Sequence, residues 1–158
     1  MSVAYLSLGS NLGNREEYIK NAIAEIDRQV GKITKLSSLY ETEPWGFNSE
    51  NKFINVAVEV KTELSITNLS EIIHKIENEA GRVRDVNVAG YIDRVIDIDI
   101  LLFDNIISDN PQITLPHPKM HLREFVIEPL VEIAPDVIHP ILNISIKDIS
   151  NSLIKQKN

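Results

Sequence analysis

Two apolar stripes at helical spacing, each closed by a glycine and set between runs of alternating residues, constrain this chain more than any other feature. Ile19, Ala22, Ile23, Ile26 and Val30 form the first, ended by Gly31; Leu69, Ile72, Ile73, Ile76 and Ala80 form the second, ended by Gly81. Recurrence every three to four residues marks a helix with one buried face. Asn14 followed three residues later by Glu17 starts the first helix, and Ser65 or Thr67 starts the second. Around them, Val3 to Leu8, Ile33 to Tyr40, Phe53 to Val60 and Arg94 to Phe103 alternate at the period of strands.

The order strand, helix, strand, strand, helix, strand predicts an α+β, ferredoxin-like βαββαβ core: an antiparallel sheet with both helices on one face. In the third strand Ile54, Val56, Val58 and Val60 belong to the core, which leaves Phe53, Asn55 and Ala57 on the open face. Past Phe103 the chain reads as irregular and proline-rich, with a last amphipathic segment around Ile146 to Ile154. This C-terminal elaboration is expected to wall the open face. We find no repeat or linker, so residues 1–158 read as a single domain.

The last strand carries an electrostatic anomaly. Arg94-Val95-Ile96-Asp97-Ile98-Asp99-Ile100-Leu101-Leu102-Phe103 sets two acids in the most apolar β-branched run of the chain. Alternation puts Asp97 and Asp99 on one face and Ile96, Ile98 and Ile100 on the other. At about 3.3 Å per residue the carboxylates lie roughly 6.5 Å apart, and at an effective dielectric near 20 their repulsion is about 2.5 kcal/mol. Two readings accommodate that cost: an edge strand whose acids face water, or a carboxylate pair that holds divalent cations against phosphate oxygens.

Composition narrows the partners. A net charge of −7 opposes nucleic-acid binding by counterion release, and no run of 18 apolar residues offers a membrane span. The absence of cysteine excludes thiolate metal sites and fits a cytoplasmic residence. Yet four of the six arginines, Arg82, Arg84, Arg94 and Arg123, fall in the same stretch as the acids and His117. Arg82 and Arg84 alternate so that two guanidiniums project together, a geometry suited to phosphate. Gly9-Ser10-Asn11-Leu12-Gly13-Asn14 lacks the Gly-Lys-Ser/Thr ending of a Walker loop and reads as a strand-to-helix turn. Trp45, Phe53 and Phe125 are candidates to hold a flat ring. Acids for Mg²⁺, arginines for phosphate, and aromatics with an amide for a heterocycle together describe one phosphoryl-transfer site.

In this combination the residues resemble the 6-hydroxymethyl-7,8-dihydropterin pyrophosphokinase family of folate biosynthesis over nearly the whole chain. The matching segments are Ala4 to Gly13, Tyr40 to Gly46, Phe53 to Ala57, Ile76-Glu77, Gly81 to Arg84, Arg94 to Leu101, and Pro116-His117 with Arg123 and Phe125. The resemblance implies transfer of the pyrophosphoryl group of ATP to the pterin hydroxymethyl oxygen, with AMP released. It makes Asp97 and Asp99 ligands of two Mg²⁺ ions and Arg82 and Arg94 the catalytic arginines. For the ATP co-substrate it implies His74, Glu77, Arg84, Thr114, His117, Arg123 and the backbone near Ile100. For the pterin it implies Gly9, Thr42, Glu43, Trp45, Phe53, Asn55 and Phe125. Both partners are small molecules, and a monomer is expected.

The chain departs from the family pattern in places. Ile92 and Asp93 replace a small residue and a proline ahead of Arg94, and the loop from Asp85 to Asp93 is longer. His74, Gln112 and Pro118 differ from side chains that meet the nucleotide in some members. Two competing readings are a Mg²⁺-dependent phosphohydrolase, which would release phosphate without a pterin acceptor, and a non-enzymatic effector-binding module, which has no need of Asp97 and Asp99 beside four arginines.

Overall fold

The computed structural model describes residues 1–42, 52–80 and 95–157. The chain order is β1 (Ser2–Ser10), α1 (Arg15–Gln29), β2 (Gly31–Leu36), β3 (Tyr40–Thr42), β4 (Phe53–Thr62), α2 (Ile66–Glu79) and β5 (Asp97–Phe103). A hairpin of β6 (Ser108–Asn110) and β7 (Ile113–Leu115), a 3-10 turn (Met120–Leu122), α3 (Glu124–Ile133) and α4 (Ile146–Lys157) complete it. The main sheet runs β2-β4-β1-β5, antiparallel where these strands pair, with β3 on β4 beyond the end of β2. This is the ferredoxin-like arrangement that the periodicities predict.

Each helix begins where its cap allows. The Asn14 side chain accepts from the Glu17 amide at 3.2 Å, and Ser65 accepts from the Asn68 amide at 3.2 Å, which satisfies one orphan donor in each helix. Gly31 does not end α1, which closes at Val30; it opens β2 instead. A Cβ there would lie 2.0 Å from the Lys61 carbonyl oxygen, so it is the close approach of β4 that demands glycine.

The predicted second strand is divided. Ser37 interrupts it: its amide donates to the Ala57 carbonyl, and its hydroxyl accepts from the Ala57 amide at 2.9 Å. A side chain thus stands in for one rung of the ladder, a substitution that alternation alone does not reveal.

One face of the sheet packs as expected. Ala4, Leu6 and Leu8 of β1, Ile54 to Val60 at alternate positions of β4, and Ile98 of β5 bury against Ile19, Ala22 and Ile26 of α1 and Leu69, Ile73 and Ile76 of α2. The opposite face is covered over half its length by helices, a larger cover than the irregular wall expected from sequence. Tyr5, Ala57, Leu101 and Leu102 pack under Val126, Ile127, Leu130 and Ile133 of α3 and Ile146, Ile149 and Leu153 of α4. Pro129 inside α3 is why that helix goes unseen in the sequence. An interior proline costs about 3 kcal/mol. Burying four large α3 side chains, each worth roughly 1.5–3 kcal/mol, outweighs it.

The β1–β5 register slips between Tyr5 and Leu6, so that Tyr5 pairs with Leu102 and Leu6 with Ile100. Leu101 is the extra residue of this bulge. The bulge returns both Leu101 and Leu102 to the α3/α4 core, while Asp97 and Asp99 keep to the same face beyond its cover.

Candidate active site

The end of that face beyond α3 and α4 is built in rows across three strands. Gly9 pairs with Asn55 on one side and with Asp97 on the other; Ser7 likewise pairs with Ala57 and Asp99. Asn55 and Asp97 are therefore two strands apart, about 10 Å at the usual inter-strand spacing. Asp97 and Asp99 are each partly exposed, with buried Ile98 between them pointing the other way. Oxygen donors alone are the set that suits Mg²⁺, which takes one or two carboxylates and completes its shell with phosphate oxygens and water. Among the described residues no cluster of three or more His, Cys, Asp or Glu could enclose a metal ion.

Gly9 lets the neighbouring side chains close over its backbone. A Cβ there would meet Asn55 Oδ1 at 2.9 Å and Phe53 Cδ1 at 3.4 Å, so any side chain would crowd both residues. Asn55, though nearly fully buried, has its amide fixed: Nδ2 donates to Thr42 Oγ1 at 2.7 Å. That bond orients the amide, with Oδ1 turned toward Gly9. Gly9, Thr42, Phe53 and Asn55, expected to meet one ring, thus come together.

From the other side, the segment after β7 folds back onto β5. The His117 amide donates to the Leu101 carbonyl at 2.9 Å, and the Leu115–Pro116 bond is cis. Burial, reinforced by the Arg123 charge, pushes His117 down to about 4, although Asp97 pulls the other way. His117 is therefore neutral near pH 7. Its Nδ1 accepts from the Lys119 amide at 3.3 Å, which assigns the proton to Nε2 and makes that nitrogen a donor. Arg123 is buried just ahead of α3, its guanidinium carbon 5.6 Å from the Phe125 ring centroid. Stacking on that ring holds the cation's plane.

A cleft of about 250 Å³ runs along the free edge of β5. His74 of α2, Asp99 and Ile100 of β5, Thr114 of β7 and His117 line it, so four of the nucleotide residues expected from sequence share one wall system with an acid, while Arg123 is not among the lining residues. Ser70, Ile73, Pro111, Gln112, Ile113 and Pro118 also line it. The β6–β7 hairpin that supplies several of these is too short to show a period. Glu77 is placed differently: it is buried and accepts from the Ile98 amide at 2.9 Å, anchoring the start of β5 to α2. That bond shows which backbone groups face outward. Antiparallel alternation turns the Ile100 amide and carbonyl the same way as those of Ile98, toward the cleft. Glu43, Trp45, Arg82, Arg84 and Arg94, with the Ile92-Asp93 lead-in, lie outside the described residues.

Sheet order, helix placement and a site at the open end of one face put the chain among ferredoxin-like α+β proteins with an elaborated second face. A family model, 7,8-dihydro-6-hydroxymethylpterin-pyrophosphokinase (HPPK), matches residues 5–135, and the chain belongs to that family. It is thus an enzyme, an ATP-dependent diphosphotransferase. The 2-amino-4-hydroxy-6-hydroxymethyldihydropteridine pyrophosphokinase of Bacillus subtilis is 43% identical over 137 residues, covering 86% of this chain and 80% of the relative. The protein of the same name from Porphyromonas gingivalis is 44% identical over 141 residues, covering 89% and 95%. The solved Plasmodium falciparum HPPK-DHPS with pteroate matches with a TM-score of 0.78 at 19% identity, over 98% of this chain and 43% of that one. This chain spans less than half of that solved chain, and the likeness concerns the fold alone. The family match stops short of α4, which packs on the covered end of the sheet face. No helix among the described residues is long and apolar enough to cross a membrane.

Proposed function

We propose that this chain transfers the pyrophosphoryl group of ATP to the hydroxymethyl oxygen of 6-hydroxymethyl-7,8-dihydropterin and releases AMP. Its chief support is the row Asn55, Gly9, Asp97, which sets an amide and a carboxylate on one sheet face with a glycine between them. The relatives' printed name carries the same pterin.

In this reading Asn55 reads the pyrimidinone edge, and Gly9, Thr42, Glu43, Trp45, Phe53 and Phe125 complete the pterin pocket. A buried amide of this kind rejects rings that leave its hydrogen bonds unmade. The triphosphate lies along the β5 edge, with the nucleoside against Ile100, Thr114 and His74. His117 donates from Nε2, and Arg84 and Arg123 contribute charge to the phosphates. Glu77 acts through β5, whose first turn of backbone it holds. Arg82 and Arg94 neutralise charge that builds on the transferred group. Asp97 and Asp99 hold two Mg²⁺ ions, which when bound supply Lewis-acid stabilisation of the phosphate oxygens. Pyrophosphoryl transfer relies on in-line positioning and charge stabilisation, so a site without a dedicated strong base suffices. The cysteine-free composition is compatible with the cytoplasm.

Incubation with Mg²⁺, ATP and 6-hydroxymethyl-7,8-dihydropterin, followed by nucleotide chromatography, tests the proposal. AMP appearing in step with consumed pterin is expected. ADP would mean single phosphoryl transfer, and inorganic phosphate without pterin consumption would favour a phosphohydrolase; either overturns it.

A further inference from the structure

Arg15 occupies a place where its charge is unwelcome. It is the first residue of α1, and a cation there opposes the helix macrodipole, whose positive end the neighbouring Glu16 and Glu17 complement. Its guanidinium spans two strands instead. Nη1 donates to the Lys52 carbonyl at 2.8 Å, and Nη2 donates to Glu41 Oε2 at 3.2 Å. Glu41 belongs to β3 and Lys52 immediately precedes β4, so one planar fork ties together the ends of both strands.

The residues next to these two anchors face the candidate pocket. Glu41 is followed by Thr42, which fixes the Asn55 amide, and Lys52 by Phe53, which pairs with Thr42 across the ladder. β3 is only three residues long and is laddered to β4, and the bond from Tyr40 to Glu132 Oε1 of α3 at 2.6 Å holds its first residue, so the fork from Arg15 grips the opposite end, next to Thr42. Glu41 pairs with Ile54, a residue of the α1/α2 core, which places the grip on the helix side of the sheet while Thr42 and Asn55 meet on the open side.

We infer that Arg15 is a positioning residue for the pterin subsite: from behind the sheet it holds Thr42, Phe53 and Asn55 in the arrangement that receives the ring. The inference rests on the pterin reading given above. It concerns one subsite, so its loss should separate the two substrates. If the pocket is formed only part of the time, apparent affinity falls by the competent fraction.

Steady-state kinetics of R15A, R15K and E41Q with both substrates varied provide the test. R15A should raise the pterin KM about tenfold, for a competent fraction near one tenth. The ATP KM should stay within about twofold, and the thermal midpoint should move little, because the Arg15–Glu41 pair is half-exposed. R15K, which keeps the charge and one of the two bonds, should recover most of the loss, and E41Q should be mild because the Lys52 carbonyl contact survives. A pterin KM within about twofold of wild type in R15A, or a parallel rise of both KM values with a lowered midpoint, overturns the inference. Failure of the wild-type protein to form AMP from ATP and the pterin overturns the functional reading and this inference together; an active wild type with an unaffected R15A overturns the inference alone.

Discussion

The two ends of one sheet face use the same strands for opposite purposes. At the covered end, Tyr5 and Glu59 sit side by side under α3 and α4. The Tyr5 hydroxyl donates to Glu59 Oε2 at 2.5 Å, and the Thr34 hydroxyl donates to Oε1 at 2.7 Å. Burial, and then the Glu59 carboxylate, push the Tyr5 phenol up. Burial also works against the Glu59 charge, but hydrogen bonds from Tyr5 and Thr34, with Lys35 and Lys61 nearby, hold its carboxyl below the usual range. One and two rows along, the acids are Asp99 and Asp97, and the residue between Asp97 and Asn55 is a glycine. One end pairs its buried acid with two hydroxyls; the other leaves its two acids partly exposed. The bulge at Leu101 separates the two by turning both leucines into the core just where the acids leave it.

Substitutions at the two ends should therefore fail in different assays. The largest effect is expected for D97N or D99N, each lowering turnover by about a thousandfold, the scale of losing a principal electrostatic element of a site. Circular dichroism and the thermal midpoint should be unchanged. Wild-type turnover in either variant at saturating Mg²⁺ would remove the distinction between the two ends. Next comes E59A, which leaves the Tyr5 and Thr34 hydroxyls without their shared acceptor. It should cost about 2 kcal/mol and lower the midpoint by roughly 6 °C, with kcat/KM for both substrates preserved. A selective loss of activity without loss of stability would show that the covered end reaches into the chemistry. The smallest effect is expected for G9A. Its Cβ meets side-chain ends that can yield, Asn55 Oδ1 at 2.9 Å and Phe53 Cδ1 at 3.4 Å. A rise of about tenfold in pterin KM, equivalent to ~1.4 kcal/mol, with ATP KM unchanged is predicted, and an equal rise in both would show that Gly9 does not serve the pterin alone.

These expectations also mark what the sequence could disclose. Period-2 and period-3.6 patterns identified the core strands and two helices through apolar faces that β1, β4, α1 and α2 show cleanly, whereas no residue of β2 is fully buried. They missed α3, where Pro129 reads as a breaker although buried side chains outweigh it, and the β2–β3 interruption, where the Ser37 hydroxyl replaces a backbone rung. The acids, Gly9 and Asn55 were legible as types at fixed spacing. Their register across three strands was not, since pairing is a property of the sheet. The cleft residues on the β6–β7 hairpin and beyond, Pro111 to Pro118, are positioned by the backbone bond from His117 to Leu101 rather than by any pattern. Arg15 did carry a signal, an arginine at the first position of a predicted helix, where charge opposes the dipole.

What the proposed function most requires is a pair of metal ions held by Asp97 and Asp99 beside the cleft along β5. Electron paramagnetic resonance titration of Mn²⁺ into the protein, with a nonhydrolysable ATP analogue and the pterin present, tests it most directly. Two Mn²⁺ per chain are predicted for wild type, with at least one lost in both D97N and D99N while the dichroism spectrum is retained. Two Mn²⁺ bound in either variant as in wild type would contradict the account.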